Sequence, residues 1–309
     1  MRPRLHKRET PTSIQLSLCF YSDCIALHLD KETCIKCDIC QTVCPKEAIK
    51  VHIVDEQPHI SVDPDLCVLC ELCSHFCPLS CIQLFFNGEP KKILADQQAL
   101  PRFPEKLRVD TSKCPQPCSL AEEEKEERWC RQQRQWIENH QEACPKHCHT
   151  CLENCPREAF CLEEGLVKPL AENCLRCTLC MTGCDYDAIV VQPIFTGVVE
   201  IADYRCPADC TLCIDLCPTN CIVREEEHVR VVRQHCAYCG VCVNICPEQA
   251  ITLRRQRIYA QEETFSHAWT TAVTKLKQKS PSEASAKATN SYSIQKGQGS
   301  DRLSSLPRR

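Results

Sequence analysis

An α+β fold made of three small repeated units, each a set of short strands and short helices packed around metal, is what this sequence predicts. Three observations carry that prediction: 32 cysteines in 309 residues, their gathering into recurrent runs, and an internal repeat at a fixed offset. Cysteine at about one residue in ten marks either a disulfide scaffold or a metal protein. Disulfide scaffolds are mostly short and secreted. Residues 1–8 are charged and lead into no apolar h-region, so no secretory leader is expected. No apolar run reaches the roughly 18 residues of a membrane-spanning helix. The expected location is therefore the cytoplasm, where thiols stay reduced and metal is the main use for clustered cysteines.

The clearest run is Cys236, Cys239, Cys242 and Cys246, with Pro247 behind it. Spacings of two, two and three closed by proline make the ligand run of a cubane iron–sulfur cluster. Five further runs follow the same plan: Cys34, Cys37, Cys40, Cys44; Cys67, Cys70, Cys73, Cys77; Cys144, Cys148, Cys151, Cys155; Cys174, Cys177, Cys180, Cys184; and Cys206, Cys210, Cys213, Cys217. Soft thiolates also suit zinc, but structural zinc sites draw on two Cys-x-x-Cys pairs separated by a loop. Three cysteines in one tight turn can instead cap three irons of a cube.

The elements follow in chain order. Residues 1–13 carry four basic residues and one acid without pattern and are expected to be a flexible basic arm. The first unit, residues 14–95, opens with an alternating strand at Ile25–Leu29 and continues after its first run with a strand pattern at Ile49–Val54. A turn at Glu56-Gln57-Pro58 leads to Ile60-Ser61-Val62 and the second run. Asn87-Gly88-Glu89-Pro90 is a turn signal. The second unit, residues 105–195, enters through a strand at Leu107–Val109. Cys114 and Cys118 begin a run that breaks off into a polar insertion, residues 119–143, without proline or glycine; it reads as an exposed helix with Trp129 and Trp136 on one face.

The third unit, residues 196–258, superposes on the second at a gapless offset of 62, taking Cys144 onto Cys206 and Cys184 onto Cys246. Eight cysteines kept in register mark an internal duplication. Residues 259–279 form an amphipathic helix with a stripe of Phe265, Trp269, Val273 and Leu276. That stripe either packs on the body or docks a partner subunit. Residues 280–309, rich in Ser, Ala, Lys, Gln and Gly, are expected to be disordered.

Strand, ligand run, short helix and strand performed twice, with aspartates (Asp30, Asp63) ahead of the runs, resembles the bacterial two-cluster [4Fe–4S] ferredoxin module. Over roughly residues 25–253 the chain resembles a polyferredoxin of three such modules. The resemblance implies about six [4Fe–4S] clusters, low potentials, and single-electron relay between redox partners. It also implies ligand exchange within each module. Cys34, Cys37 and Cys40 would take Cys77, while Cys67, Cys70 and Cys73 would take Cys44. Cys144, Cys148 and Cys151 would take Cys184, while Cys174, Cys177 and Cys180 would take Cys155. Cys206, Cys210 and Cys213 would take Cys246, while Cys236, Cys239 and Cys242 would take Cys217.

Two departures stand out. Three residues, not two, follow Cys144 and Cys206 before the next cysteine, and Asp185 replaces proline after Cys184. Cys144, Cys148 and Cys151 also match the signature of radical S-adenosylmethionine enzymes, but a fourth cysteine follows and no long alternating βα pattern exists. Eight cysteines lie outside the runs. Cys81 and Cys221 take the place of an alanine found after other runs (Ala48, Ala159, Ala188, Ala250) and are expected to pack as small hydrophobes, as is Cys161. Cys114, Cys118 and Cys130, with Cys19 or Cys24, are either relics of duplication or a further metal site. His147 and His149 are not needed as ligands.

The seven glycines form no dinucleotide or phosphate cradle, and no catalytic constellation is expected: the chain reads as an electron carrier, with chemistry done elsewhere. The enzyme-class alternative is the iron–sulfur subunit of a larger oxidoreductase, and the binding-class alternative is a redox or iron sensor. Residues 14–253 hold 36 acids and 22 basic residues, whereas residues 254–309 hold 11 basic residues and four acids. An acidic body steers towards positively charged redox proteins. The scattered basic tail offers no groove-binding motif, so nucleic acid is not expected as a partner.

Overall fold

The computed structural model describes residues 5–54, 57–114, 150–163, 166–226, 228–261 and 266–278. The insertion at 119–143, Cys118, Cys130, Cys144, Cys148, the two adjacent histidines and the tail beyond 280 lie outside the described residues. What is described is a mixture of short strands and short helices, as an α+β reading requires.

The chain begins with strand β1 (His6–Glu9), β2 (Ser13–Phe20) and β3 (Asp23–Asp30), paired antiparallel in that order. The flexible arm expected over residues 1–13 is thus corrected: from His6 to Glu9 it is a strand laid on β2. Its four residues are all exposed, so it carries no apolar alternation by which a strand is recognised. In β2 and β3 the alternation is clear, and Ile14, Leu16, Leu27 and Leu29 are all buried on one face.

Next come helix α1 (Ile39–Val43), the hairpin β4 (Ile49–Val54) and β5 (Gln57–Val62), helix α2 (Leu72–Phe76), β6 (Ile82–Phe86) and the short β7 (Glu89–Pro90). Strand β6 pairs with β3, so the first and last long strands close around the inner hairpin β4–β5. After helix α3 (Ile93–Asp96), the same plan occurs again. Strand β8 (Leu107–Val109) pairs with β11 (Ile189–Val191) around the hairpin β9 (Phe160–Glu163) and β10 (Leu166–Pro169). Helices α4 (Thr150–Asn154) and α5 (Leu179–Thr182) fill the equivalent places. In the last third β12 (Phe195–Ile201) pairs with β15 (Ile251–Ile258) around β13 (Ile222–Glu225) and β14 (His228–Val231), with helices α6 (Leu212–Asp215) and α7 (Val241–Ile245).

One backbone hydrogen bond fastens each half-unit. The carbonyl four residues after the last cysteine of a run accepts an N–H from the approach to the partner run. The pairs are Asp63 to Ala48, Asp30 to Cys81, Leu170 to Ala159, Asp110 to Ala188, Val232 to Cys221 and Ala202 to Ala250, all at 2.7–2.8 Å. Every one of these acceptor residues is buried. Two chain segments meet there, and all six acceptors are alanine or cysteine. The aspartates ahead of the runs cap the turns that follow: Asp30 Oδ1 accepts from the Glu32 N–H at 2.9 Å, and Asp63 Oδ1 from Asp65 at 2.9 Å.

The units are not strung out as beads. Ile39, Val43, Leu72 and Phe76 of the first share one buried core with Val241, Ile245, Ile251 and Leu253 of the third, whereas Leu107, Phe160, Val167 and Ile189 of the second form a core of their own. Helix α8 (His267–Lys277) seals the shared core with Ala272 and Leu276. Its Trp269 stacks on Phe76, ring centroids 5.3 Å apart, and Lys275 Nζ donates to the Cys44 carbonyl at 2.9 Å. The apolar face offered as a partner-docking element is therefore occupied by the protein's own body; Phe265 lies outside the described residues.

Gly240 opens α7 with φ +86°, and a Cβ placed there would lie 2.4 Å from Asp38 Cγ. Gly240→Ala combines left-handed strain with a clash against a buried carboxylate. The expected loss is about 1–3 kcal/mol of stability, readable as a lower midpoint in a urea melt; an unchanged midpoint would show that the two units do not meet this closely.

Candidate metal centres

Each tight run winds its cysteines inward through left-handed backbone. The residue two places after the first cysteine has positive φ in four of them: Lys36, Leu69, Arg176 and Tyr238. The residue three places after the last cysteine has it in all six: Glu47, Ser80, Glu158, Asp187, Asn220 and Gln249. Such turns cost about 1–2 kcal/mol per non-glycine residue, so something must hold them. Here they aim amide groups at sulfur. The N–H groups of Lys36, Arg176 and Tyr238 point at Cys34, Cys174 and Cys236 Sγ, each at 3.4 Å. Those of Ala48, Ala159 and Ala250 point at Cys44, Cys155 and Cys246 Sγ at 3.3, 3.3 and 3.2 Å. An N–H aimed at sulfur favours its anionic form, which is the form that binds metal.

The thiols fall into groups of four. Burial pushes the Cys40 thiol well above its ordinary range, and the neighbouring thiols Cys37, Cys34 and Cys77 push it the same way, as does Cys73 from the adjoining group. Cys73 is raised by burial and then by Cys70, Cys67 and Cys44. Cys180 is pushed up to about 12 by burial and by Cys174, Cys177 and Cys155. Cys213 goes up to about 11 by burial, then Cys206, Cys246 and Cys210. Cys242 is raised by burial first and by Cys239 and Cys217 among others. In four groups, then, three thiols of one run lie within electrostatic reach of the last cysteine of its partner run, and in a fifth Cys239 and Cys242 lie within reach of Cys217. Of the sixth, Cys151 and Cys184 are among the described residues, at the ends of α4 and α5, and Cys144 and Cys148 are not.

Burial and mutual repulsion thus favour the protonated form of Cys40, Cys73, Cys180, Cys213 and Cys242 until a cation replaces the proton, whereas Cys34 and Cys77 are lowered, each chiefly by a hydrogen bond with Cys81. Among the described residues no three Cys, His, Asp or Glu side chains converge closely enough for a single ion. A sulfur-bridged cube, bound through the same soft ligands, fits that donor set.

Residues 27–84 match the family model of the 4Fe-4S dicluster domain. That segment is an iron–sulfur electron-transfer domain. No curated protein matches the chain. Among solved structures, the chain resembles one from the formate dehydrogenase – heterodisulfide reductase – formylmethanofuran dehydrogenase complex of Methanospirillum hungatei, with a TM-score of 0.71 and 24% identity over 90% of this chain and 93% of that one. At that identity the likeness is one of fold. The matched segment holds two runs with two residues between successive early cysteines; the runs from Cys144 and Cys206, with three, lie outside it.

The cysteines outside the runs divide. Cys19 and Cys24, opposite each other across the β2–β3 hairpin, form a disulfide, correcting the expectation of reduced thiols throughout; a pair five residues apart in irregular-looking sequence gave no signal until strand register set them face to face. Cys81 and Cys221 are buried, with Sγ 3.2 Å from Cys77 Sγ and 3.6 Å from Cys217 Sγ. Cys161 is half-buried in β9, and Cys114 packs at the edge of the second unit's core.

Because four thiols are grouped without them, Cys81→Ala and Cys221→Ala should leave iron content unchanged and cost about 1 kcal/mol in lost packing. A fall of about four irons per chain in either variant would assign that thiol as a ligand instead.

Proposed function

We propose that this chain is a multi-cluster electron-transfer protein: three dicluster modules along one polypeptide, binding six [4Fe–4S] clusters through the 24 cysteines of the six runs in the exchanged pairing given above. The grouping of three thiols with the last cysteine of the partner run in four places, and of Cys239 and Cys242 with Cys217 in a fifth, is the observation that carries this reading. When bound, such clusters accept and release one electron at a time. The chain's own residues do the rest. The thiolates ligate, the aimed N–H groups of Lys36, Arg176, Tyr238 and the alanines offset negative charge on sulfur, and Ile39, Val43, Leu72, Val241 and Ile245 keep water from the inner faces. Amide bonds to sulfur and solvent exposure are among the factors that set cluster potentials.

A second reading, that the chain serves as the iron–sulfur subunit of a larger oxidoreductase, is favoured by its full-length likeness to one chain of such an assembly. Both readings place the acidic body against a redox protein of opposite charge. No helix among the described residues is long and apolar enough to cross a membrane.

Iron and acid-labile sulfide analysis of anaerobically purified protein tests the proposal. About 24 irons per chain are expected, four for each of six clusters; zinc, or only four to eight irons, would overturn it. Affinity purification with the full chain and with a chain ending at Gln278 then separates carrier from subunit. A cut at Arg254 would remove half of β15 and all of α8 and report only on misfolding.

A further inference from the structure

Chain order puts the second unit between the first and the third. Spatial order does not. The run Cys34–Cys40 abuts the run Cys236–Cys242 directly: the Asp38 N–H donates to the Cys239 carbonyl at 3.2 Å, and Asn244 Nδ2 donates to the Lys36 carbonyl at 3.3 Å. Between the same runs Arg255 Nη2 meets Asp38 Oδ1 at 2.5 Å. The run Cys174–Cys180 reaches the third unit as well, with Thr178 Oγ1 donating to the Gln234 carbonyl at 2.8 Å, two residues ahead of Cys236. It reaches the first through Lys106, whose Nζ donates to the carbonyl of Pro78, next to Cys77, and to that of Ala171 at 3.3 Å.

All three runs border one small crevice, lined among others by Ile39 and Pro78 of the first unit, Leu175 and Arg176 of the second, and Cys236 and Cys239 of the third. Cys37 and Cys239 lie within electrostatic reach of each other. In each unit, then, one thiol group sits at this meeting point: Cys34/37/40/77, Cys174/177/180/155 and Cys236/239/242/217. The runs Cys67–Cys73 and Cys206–Cys213 do not line this crevice. Beside them Val68 and Tyr204 stand open to solvent.

We propose that the protein is a branched relay with a three-way junction, not a serial wire: the inner cluster of each unit faces the inner clusters of both others. An electron arriving by one unit then leaves by either of the other two, the donating cluster being oxidised by one electron as the receiving one is reduced by one. The branch lets one chain connect three redox partners, or divide electrons from one donor between two acceptors.

This inference rests on the runs being cluster ligands, and the experiment separates the two. Three full-length variants each remove one inner cluster: C37A/C40A, C177A/C180A and C239A/C242A. Each should lose about four irons. Their dithionite-reduced electron paramagnetic resonance spectra are compared pairwise with the corresponding double removals, as a mutant cycle. Magnetic interaction between facing clusters makes the spectral changes non-additive for every pair, including the first with the third.

A serial arrangement predicts additivity for that pair, and that result overturns the junction. Should alanine strip a unit of all its iron, Cys37→Ser and Cys239→Ser keep an oxygen ligand and give the same cycle from their shifted signals. Wild-type protein without iron would sink the cluster reading itself, a different outcome from clusters that are present and do not interact.

Discussion

Arg255→Met is expected to destabilise the protein by about 3–5 kcal/mol, because it strands a carboxylate in the core. Asp38 and Arg255 are almost wholly buried, their side chains 5% and 1% exposed. The guanidinium bonds both carboxylate oxygens, at 2.5 and 3.4 Å, donates from Nε to the Tyr238 carbonyl at 2.9 Å, and lies 5.2 Å from the Phe195 ring centroid. Methionine keeps much of the stem and its packing but removes the guanidinium that bonds both oxygens of the Asp38 carboxylate. The loss should therefore come from the unpaired charge, not from a cavity. Asp38→Leu combined with Arg255→Met should recover most of it, since replacing both members of a buried pair with apolar groups is often neutral or stabilising. Chemical melts of the two variants check this. Equal, large losses in single and double variants would mean that the pair contributes through shape and not through charge.

Removing the iron should have the larger effect: collapse of the fold. Among the described residues the helices other than α8 have four or five residues, and all sheets but one are two-stranded. Helices so short are marginal in water, and isolated two-stranded hairpins are too. Cysteines are themselves part of each buried core: Cys34, Cys40 and Cys73 in the first unit, Cys151, Cys174 and Cys180 in the second, Cys213 and Cys217 in the third. Each proposed cluster ties two runs together, so much of the folding free energy should be metal-binding free energy. Oxidation in the presence of a chelator is expected to abolish the far-ultraviolet circular dichroism of native protein along with its brown colour. Anaerobic return of iron and sulfide should restore both. A colourless protein that keeps its dichroism and melts cooperatively would place the folding energy in the apolar core instead.

Much of the candidate site was legible from the chain alone, for a local reason. Three cysteines at three-residue intervals already describe one turn of backbone facing one object, and proline after the fourth ends the turn. The 62-residue offset likewise shows in sequence, because a duplicated unit repeats its ligand spacing. Strand patterns at Ile25–Leu29, Ile49–Val54 and Leu107–Val109 carry enough β-branched and apolar residues to be read, and strands stand there. The exposed strand β1 carries no such pattern.

What the sequence by itself determined was therefore the cofactor class, the cysteine runs and the two-strand-and-hairpin plan, all encoded within stretches of a few to a few tens of residues. Only the tertiary structure decided which units touch. Asp38 and Arg255 are 217 positions apart, and in the sequence each looks like one more surface charge among 78. The Cys19–Cys24 pairing and the covering of α8's apolar stripe are likewise matters of register and packing. Contacts of that kind leave no periodicity in the chain, because their free energy comes from burial and charge pairing between surfaces that meet only after each unit has formed.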